Sequence, residues 1–424
     1  GVLHYNYATI DEQIEEAKRV KSFEAAFVKN PVCLSPKNTV GDVYKVNEKY
    51  GFFSVLITEN GTLNSRLAGI VTRRDVRYLR NMNVPLKNIM TPKGKLITAN
   101  RKNTLDARDI EAANKIIRKN NLDTLPIVDA KFYPVALVTD SDLRKNTMYP
   151  LATKDSNKQL RVFIAVESRM ELAKERIKKG YEAGVDGIVI DAGIVYKSQL
   201  EITEWAKKNF PRLEVVAGNI ASPMMLRNIL KSNAKYIDAI RIGVGPGAGC
   251  ITQQELGTGR AQASAVYYCA EEAKKLSKKY GHVPVIADGG VKILDGVGND
   301  FKRPADITKA IALGGDTVMI GSMLAGLEEA PGEKQYDEAG ERMIKKYRGM
   351  GSPEAMRQRA GVRYGVDKVK VRVAEGKEIK VPYRGSGYDF IPYLIAGIKQ
   401  SFQKQGFRNI AECHKYADIR PLPR

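Results

Sequence analysis

Cysteine is scarce in this chain and scattered: Cys33, Cys250, Cys269 and Cys413 form no C-x-x-C pair. Histidine is scarcer still, with three residues, and none is clustered. That spacing excludes a disulfide framework and a zinc site, and it fits a reducing, cytoplasmic compartment. Long apolar runs are missing too: none reaches the roughly 18–20 residues that span a bilayer. The opening "GVLHYNYATIDEQ" lacks the basic start and apolar stretch of a secretion signal. Acidic residues are in short supply, 48 against 69 Lys and Arg, for a formal charge of +21. Such a charge attracts phosphate groups. No zinc finger, aromatic-glycine RNA-binding signature or basic tail accompanies it, so a nucleic-acid partner is not expected. Much of the excess fits a solvated basic surface. Cys33 and Cys269 sit in apolar contexts and are expected to be inert.

What is present is repetition, then alternation. "GIVTRRDV" (69–76) and "ALVTDSDL" (136–143) share an apolar strand, a Thr, two residues and an Asp. Each closes a similar stretch of short strand, helix, strand and turn, which indicates two copies of one small unit. The pair resembles a tandem cystathionine-β-synthase-type (CBS, or Bateman) domain over residues 28–147, with copies at about 28–82 and 87–147. The resemblance implies that Thr72, Asp75, Thr139 and Asp142 face the ribose of a regulatory purine nucleotide. Thr and Asp at this spacing also make an ordinary helix N-cap.

From residue 160 onward, β-branched apolar strands alternate with amphipathic helices: "VFIAV", "GIVID", "LEVVAGN", "AIRIG", "PVIADGG" and "TVMIGS". Near-continuous apolar strands between helices indicate a parallel sheet buried on both faces. Most of them end in Gly, Asp or Asn, as the catalytic edge of a (β/α)8 TIM barrel does. The initial "GVLH", followed by a helix with a Thr9/Glu12 capping box, supplies a seventh strand. The expectation is an α/β (β/α)8 barrel whose first strand precedes this chain. Residues 1–27 and 148–424 build the barrel, and the repeats are inserted between them.

One cysteine lies in a glycine-rich loop, "RIGVGPGAGCITQ" (241–253), just after a barrel strand. Glycine there spends backbone entropy, so the loop needs unusual angles or close approach. A thiolate is a strong nucleophile, and loop amides with Arg241 nearby would lower its pKa. The loops "ADGG" (287–290) and "IGS" (320–322) stand where such barrels bind phosphate.

With "GVGPGAGCIT", "ADGG", "IGSMLAGLEEAPGE", "KKYRGMGSPEAM", "RY" (363–364) and "AEG…VPYRGS", the chain resembles the inosine 5′-monophosphate (IMP) dehydrogenase/GMP reductase family over nearly its whole length. The resemblance implies that Cys250 attacks C2 of IMP, hydride passes to NAD, and the thioimidate of xanthosine monophosphate (XMP) is hydrolysed. It assigns the substrate to Asp288, Gly289, Gly290, Gly321, Ser322, Tyr347, Gly349, Met350 and Gly351. Arg363 and Tyr364 on a flap at about 353–380 would activate water, with Thr252 and Glu375 as a second proton route. That fits the basic 345–385 segment, with twelve Lys/Arg against four Asp/Glu. Asp191, Asn219, Gly243 and Gly245 would face the dinucleotide, and carbonyls of Gly245, Gly247 and Cys250 would hold K⁺. Family members are homotetramers, and CBS pairs can mediate octamers.

Three departures stand out. Ala248 and Gly249 replace a phosphate-binding serine and a bulky residue, so weaker IMP binding is expected. "DAGIVY" (191–196) lacks both serines that face the dinucleotide, which leaves NAD against NADP open. The loop after the family's first strand is expected to precede this sequence, along with that strand. The alternative direction is GMP reductase, which uses the same cysteine and Thr–Glu pair with NADPH; "EGKEIKVPYRG" suits it, while the Arg–Tyr flap suits the dehydrogenase.

Overall fold

The computed structural model describes residues 1–7, 9–22, 28–29, 31–50, 52–104, 110–140, 151–155, 159–193, 197–291, 304–353, 355 and 373–420. The chain divides into two compact units. One comprises Gly1–Ala17 with Val162–Arg424, the other Lys18–Arg161. The second unit is thus wider than the 28–147 span of the repeats.

The first unit is built on seven parallel strands in sequential order: β1 (Val2–Leu3), β2 (Phe163–Val166), β3 (Gly187–Ile190), β4 (Glu214–Ile220), β5 (Ala239–Ile242), β6 (Val285–Asp288) and β7 (Thr317–Met319). Helices α1 (Ile10–Ser22), α2 (Met170–Glu182), α3 (Lys197–Asn209), α4 (Pro223–Asn233), α5 (Thr252–Leu256), α6 (Gln262–Tyr280), α7 (Pro304–Ala312) and α8 (Ser322–Ala325) alternate with them. This curled parallel sheet has the arrangement of a (β/α)8-like barrel. Among the described residues, β1 and β7 are its edges.

The elements follow from local chemistry. Thr9 caps α1 by accepting the Glu12 N–H at 3.1 Å. Ser222 caps α4 in the same way, accepting from the Met225 N–H at 3.2 Å, with Pro223 at the first helical position. Helix α6 turns Ala265, Val266, Cys269 and Ala273 onto Ile240, Ile242, Val285 and Ala287. Each Val and Ile among them contributes roughly 1.5–3 kcal/mol by leaving water. Beyond α8, β8 (Lys334–Tyr336), β9 (Met343–Arg348) and β10 (Glu378–Pro382) form an antiparallel sheet. Helix α9 (Gly387–Gln405) then packs through Phe390 and Leu394 against Ile307 and Ile311 of α7.

The second unit contains two four-stranded sheets of matching pattern. In one, Cys33–Leu34 runs parallel to Val55–Thr58, followed by antiparallel Leu67–Val71 and Thr91–Pro92. In the other, Ala99–Asn100 runs parallel to Thr124–Val128, followed by antiparallel Pro134–Thr139 and Val28–Lys29. Each half lends a short strand to the other's sheet, and Leu56, Leu67, Ile70, Val128 and Leu137 form a shared core. Both sheets thus run as one parallel pair followed by two antiparallel neighbours.

Candidate functional site

The ends of the parallel strands converge on a cavity of about 1190 Å3. Cys250 lies on its wall, on the loop leaving β5. Its Sγ is 3.1 Å from Oγ1 of Thr252. That hydroxyl is buried and donates to Oε2 of Glu375 at 2.9 Å. Sulfur, hydroxyl and carboxylate therefore form one continuous line capable of moving a proton to or from an atom bound near the sulfur.

Backbone crowding sets the loop in place. Lys377 N–H donates to the Gly249 carbonyl at 2.9 Å, and Gly349 N–H donates to that of Lys377 at 3.1 Å. A Cβ at Gly249 would meet the Gly349 backbone at 3.0 Å, and one at Gly349 would lie 2.3 Å from the Gly249 oxygen. The missing side chain at Gly249 thus has a structural reason: three backbone segments meet there. Gln253 secures the far side, its Nε2 donating to the carbonyls of Val244 (2.9 Å) and Arg260 (3.0 Å).

A second cluster lies across the strand ends. Asp191, which follows β3, is 2% exposed and pairs through Oδ1 with Arg241 Nη2 at 2.8 Å. Its Oδ2 is 3.1 Å from His4 Nε2, just after β1. Arg241 also donates to Asn219 Oδ1. Asn219 Nδ2 in turn reaches the Gly243 carbonyl at 2.6 Å and Asp288 Oδ2 at 2.8 Å. The expectation that Arg241 serves the thiol is corrected here. As the penultimate residue of β5, it turns to Asp191 and Asn219, with Asp288 3.7 Å from its Nε. Its charge is matched by carboxylates, and adjacency in sequence was a poor guide to its partner.

Of the expected substrate residues, Asp288, Gly289, Gly321 and Tyr347 line the cavity, as do Gly349, Met350 and Gly351. Asp191, Asn219, Gly243, Gly245 and Gly247 line it as well. Gly290 stands behind, its N–H bonded to the Pro246 carbonyl at 3.1 Å, and Ser322 is buried as the first residue of α8. Arg363, Tyr364 and most of the expected flap lie outside the described residues, as does Asp142. In the second unit, Asp75 Oδ2 accepts from the Thr72 N–H (2.7 Å) and hydroxyl (2.8 Å), the N-cap geometry. Thr139 ends a strand of the other sheet.

Burial pushes Cys33 and Cys269 up to about 11, and it raises Cys413 as well. All four cysteines are free. Among the described residues no helix is long and apolar enough to cross a membrane. His4 and Gln253 carry no signal in the sequence: His4 meets Asp191 across 187 residues, and Gln253 ties down two carbonyls of its own loop.

Comparison with known proteins agrees with this geometry. A family model described as IMP dehydrogenase / GMP reductase domain matches residues 1–422. An inosine-5′-monophosphate dehydrogenase of Schizosaccharomyces pombe is 39% identical over 99% of this chain and 76% of that protein. One from Aquifex aeolicus is 37% identical, over 98% and 80%. A crystal structure of GMP reductase from Trypanosoma brucei in complex with guanosine 5′-monophosphate superposes with a TM-score of 0.81 at 28% identity, covering 96% of this chain and 80% of that one. The chain belongs to the IMP dehydrogenase / GMP reductase family and is an oxidoreductase of that family acting on a purine nucleotide.

Proposed function

We propose that this chain binds a purine nucleoside monophosphate in the strand-end cavity, bonds its C2 to the Cys250 sulfur, and exchanges a hydride at that carbon with a nicotinamide dinucleotide. The observation that carries this is the Cys250–Thr252–Glu375 line. A nucleophile with a proton route beside it can form and break a bond at an electrophilic ring carbon. The dinucleotide, NAD or NADP(H), supplies or accepts the hydride when bound. Asp288 would hold the mononucleotide ribose. Gly321 and Tyr347 would cradle the phosphate, backed by Gly290 and Ser322, and Met350 and Gly351 would meet the base. Asp191, steadied by Arg241 and His4, would accept a ribose hydroxyl of the dinucleotide.

The described geometry supports the reductive direction, GMP to IMP. There the thiolate adds at C2 and the amino group leaves as ammonia, with the Thr252–Glu375 pair placed to deliver its proton. Hydride then enters at C2 and the sulfur departs. The solved GMP reductases that this chain resembles extend over nearly the whole of it, which favours this direction. The oxidative direction, IMP to XMP, is the second reading. It is carried by curated relatives named as IMP dehydrogenases and by the Arg363–Tyr364 pair in sequence. In it hydride leaves C2, and water then attacks that carbon and releases the sulfur.

Purified chain offered GMP with NADPH, and separately IMP with NAD, separates the two by nicotinamide absorbance. GMP-dependent loss of NADPH carries the reductase, IMP-dependent formation of NADH the dehydrogenase. Turnover of neither pair overturns both.

The carbonyls of Gly245, Gly247 and Cys250 suit a hard alkali cation such as K⁺. Gly247 O accepts the Cys250 N–H at 3.0 Å and keeps a second lone pair for it. The duplicated unit is proposed as a tandem CBS pair binding a regulatory purine nucleotide near Thr72/Asp75 and Thr139/Asp142. A homotetramer or octamer is the proposed assembly.

A further inference from the structure

Gln262 is the first residue of α6, and its side chain turns back onto two strand ends. Its Nε2 donates to the carbonyl of Ile242, the last residue of β5, at 2.8 Å, and to that of Asp288, the last residue of β6, at 3.1 Å. Ladder hydrogen bonds stop where strands end, so terminal carbonyls need another donor. One amide nitrogen carries two hydrogens and serves both. The opposite amide orientation would set Oε1 against two carbonyl oxygens, which fixes the way the group faces. Oε1 itself is buried and, among the described residues, has no donor. An unpaired buried acceptor is costly, and the two bonds made by Nε2 offset that cost.

Two glycines make room for it. A Cβ at Gly243 would lie 3.1 Å from both Nε2 and Oε1, and one at Gly290 would lie 2.8 Å from Cγ. Gly243 also has φ +148 and approaches the Asp288 carbonyl so closely that a Cβ there would be 2.1 Å from it. The backbone leaving β5 is therefore pressed against the end of β6, with the Gln262 amide as the link.

We propose that Gln262 is a positioning residue for the mononucleotide, setting the spacing between the loop that presents Cys250 and the strand end that carries Asp288. Asp288 would anchor the ribose and Cys250 must meet C2, so this spacing decides whether the bound purine reaches the sulfur. The inference rests on the function proposed above. A misplacement of about 1 Å at such a site costs on the order of 10²-fold in rate.

The test compares the parent chain with Gln262→Met, which keeps bulk but removes both donors, and Gln262→Glu, which keeps shape but turns a carboxylate toward two carbonyls. Steady-state kinetics are measured for both substrates, alongside thermal denaturation. Gln262→Met should raise KM for the mononucleotide and lower kcat, together on the order of 10²-fold in kcat/KM, with KM for the dinucleotide unchanged. Gln262→Glu should be at least as impaired despite its closer shape. Parent-like kinetics in Gln262→Glu overturn the inference, because filling space would then suffice. An equal rise in KM for both substrates with a lowered Tm overturns it too. If Gln262→Glu does not fold, the KM split in Gln262→Met decides alone; if neither folds, the role is structural and the inference falls. A parent that turns over neither substrate pair overturns the function and this role together, whereas an active parent with indistinguishable variants overturns only the role.

Discussion

Thr252 donates its hydroxyl proton to Glu375 across 123 residues of sequence, and the same oxygen lies 3.1 Å from the Cys250 sulfur. Proton transfer through positioned side chains contributes about 10²–10⁴-fold. Thr252→Val should therefore lower kcat by about 10²-fold or more with little change in mononucleotide KM. Glu375→Gln should behave alike. Steady-state kinetics check both. A change confined to KM would show that the line binds substrate and moves no proton.

The thiols should separate by reactivity. Cys33 and Cys269, pushed up to about 11 by burial, stay protonated near neutral pH, and their labelling should rise only as pH approaches that value. Iodoacetamide near neutral pH should therefore modify Cys250 first, with the mononucleotide protecting it. Peptide mapping after timed quenching reads the order. Equal labelling of all four thiols would remove the distinction.

Arg241→Met should destabilise the first unit by about 3–5 kcal/mol, because it breaks the buried ion pair with Asp191. Denaturant unfolding measures it. The active fraction should also show a raised KM for the dinucleotide, since Asp191 would lose its anchor.

Two substitutions in the thiol loop should act in opposite directions. Ala248→Ser adds a hydroxyl where the family resemblance places a phosphate contact. A hydrogen bond to a charged group corresponds to about a tenfold fall in mononucleotide KM. Gly249→Val sends a side chain into the Gly349 backbone, 3.0 Å from the Cβ position, and should cost about 1–3 kcal/mol with a loss of turnover. Kinetics and thermal melts of the two variants check the pair.

The strand–helix alternation and the thiol loop were readable because buried parallel strands are apolar runs and glycine clusters mark crowded backbone. "GIVTRRDV" and "ALVTDSDL" marked two strands for a similar reason, since Leu67–Val71 and Pro134–Thr139 are buried apolar runs. What stayed hidden lies between strand ends. Arg241 follows β5's path toward the thiol in sequence, yet Asp191 and Asn219 claim it because neighbouring strands bring them closer. His4 and Gln262 carry no motif, and only the parallel register places them beside Asp191 and Asp288. Gly249 read as a lost side chain, whereas its neighbours leave no room for one.

The central claim is a bond between the Cys250 sulfur and a purine carbon, and mass spectrometry of acid-quenched turnover mixtures tests it most directly. The peptide containing Cys250 should gain the mass of the mononucleotide adduct during turnover and lose it as substrate is exhausted, and Cys250→Ala should give neither adduct nor product. Unmodified Cys250 throughout turnover, with the alanine variant equally active, would contradict the account.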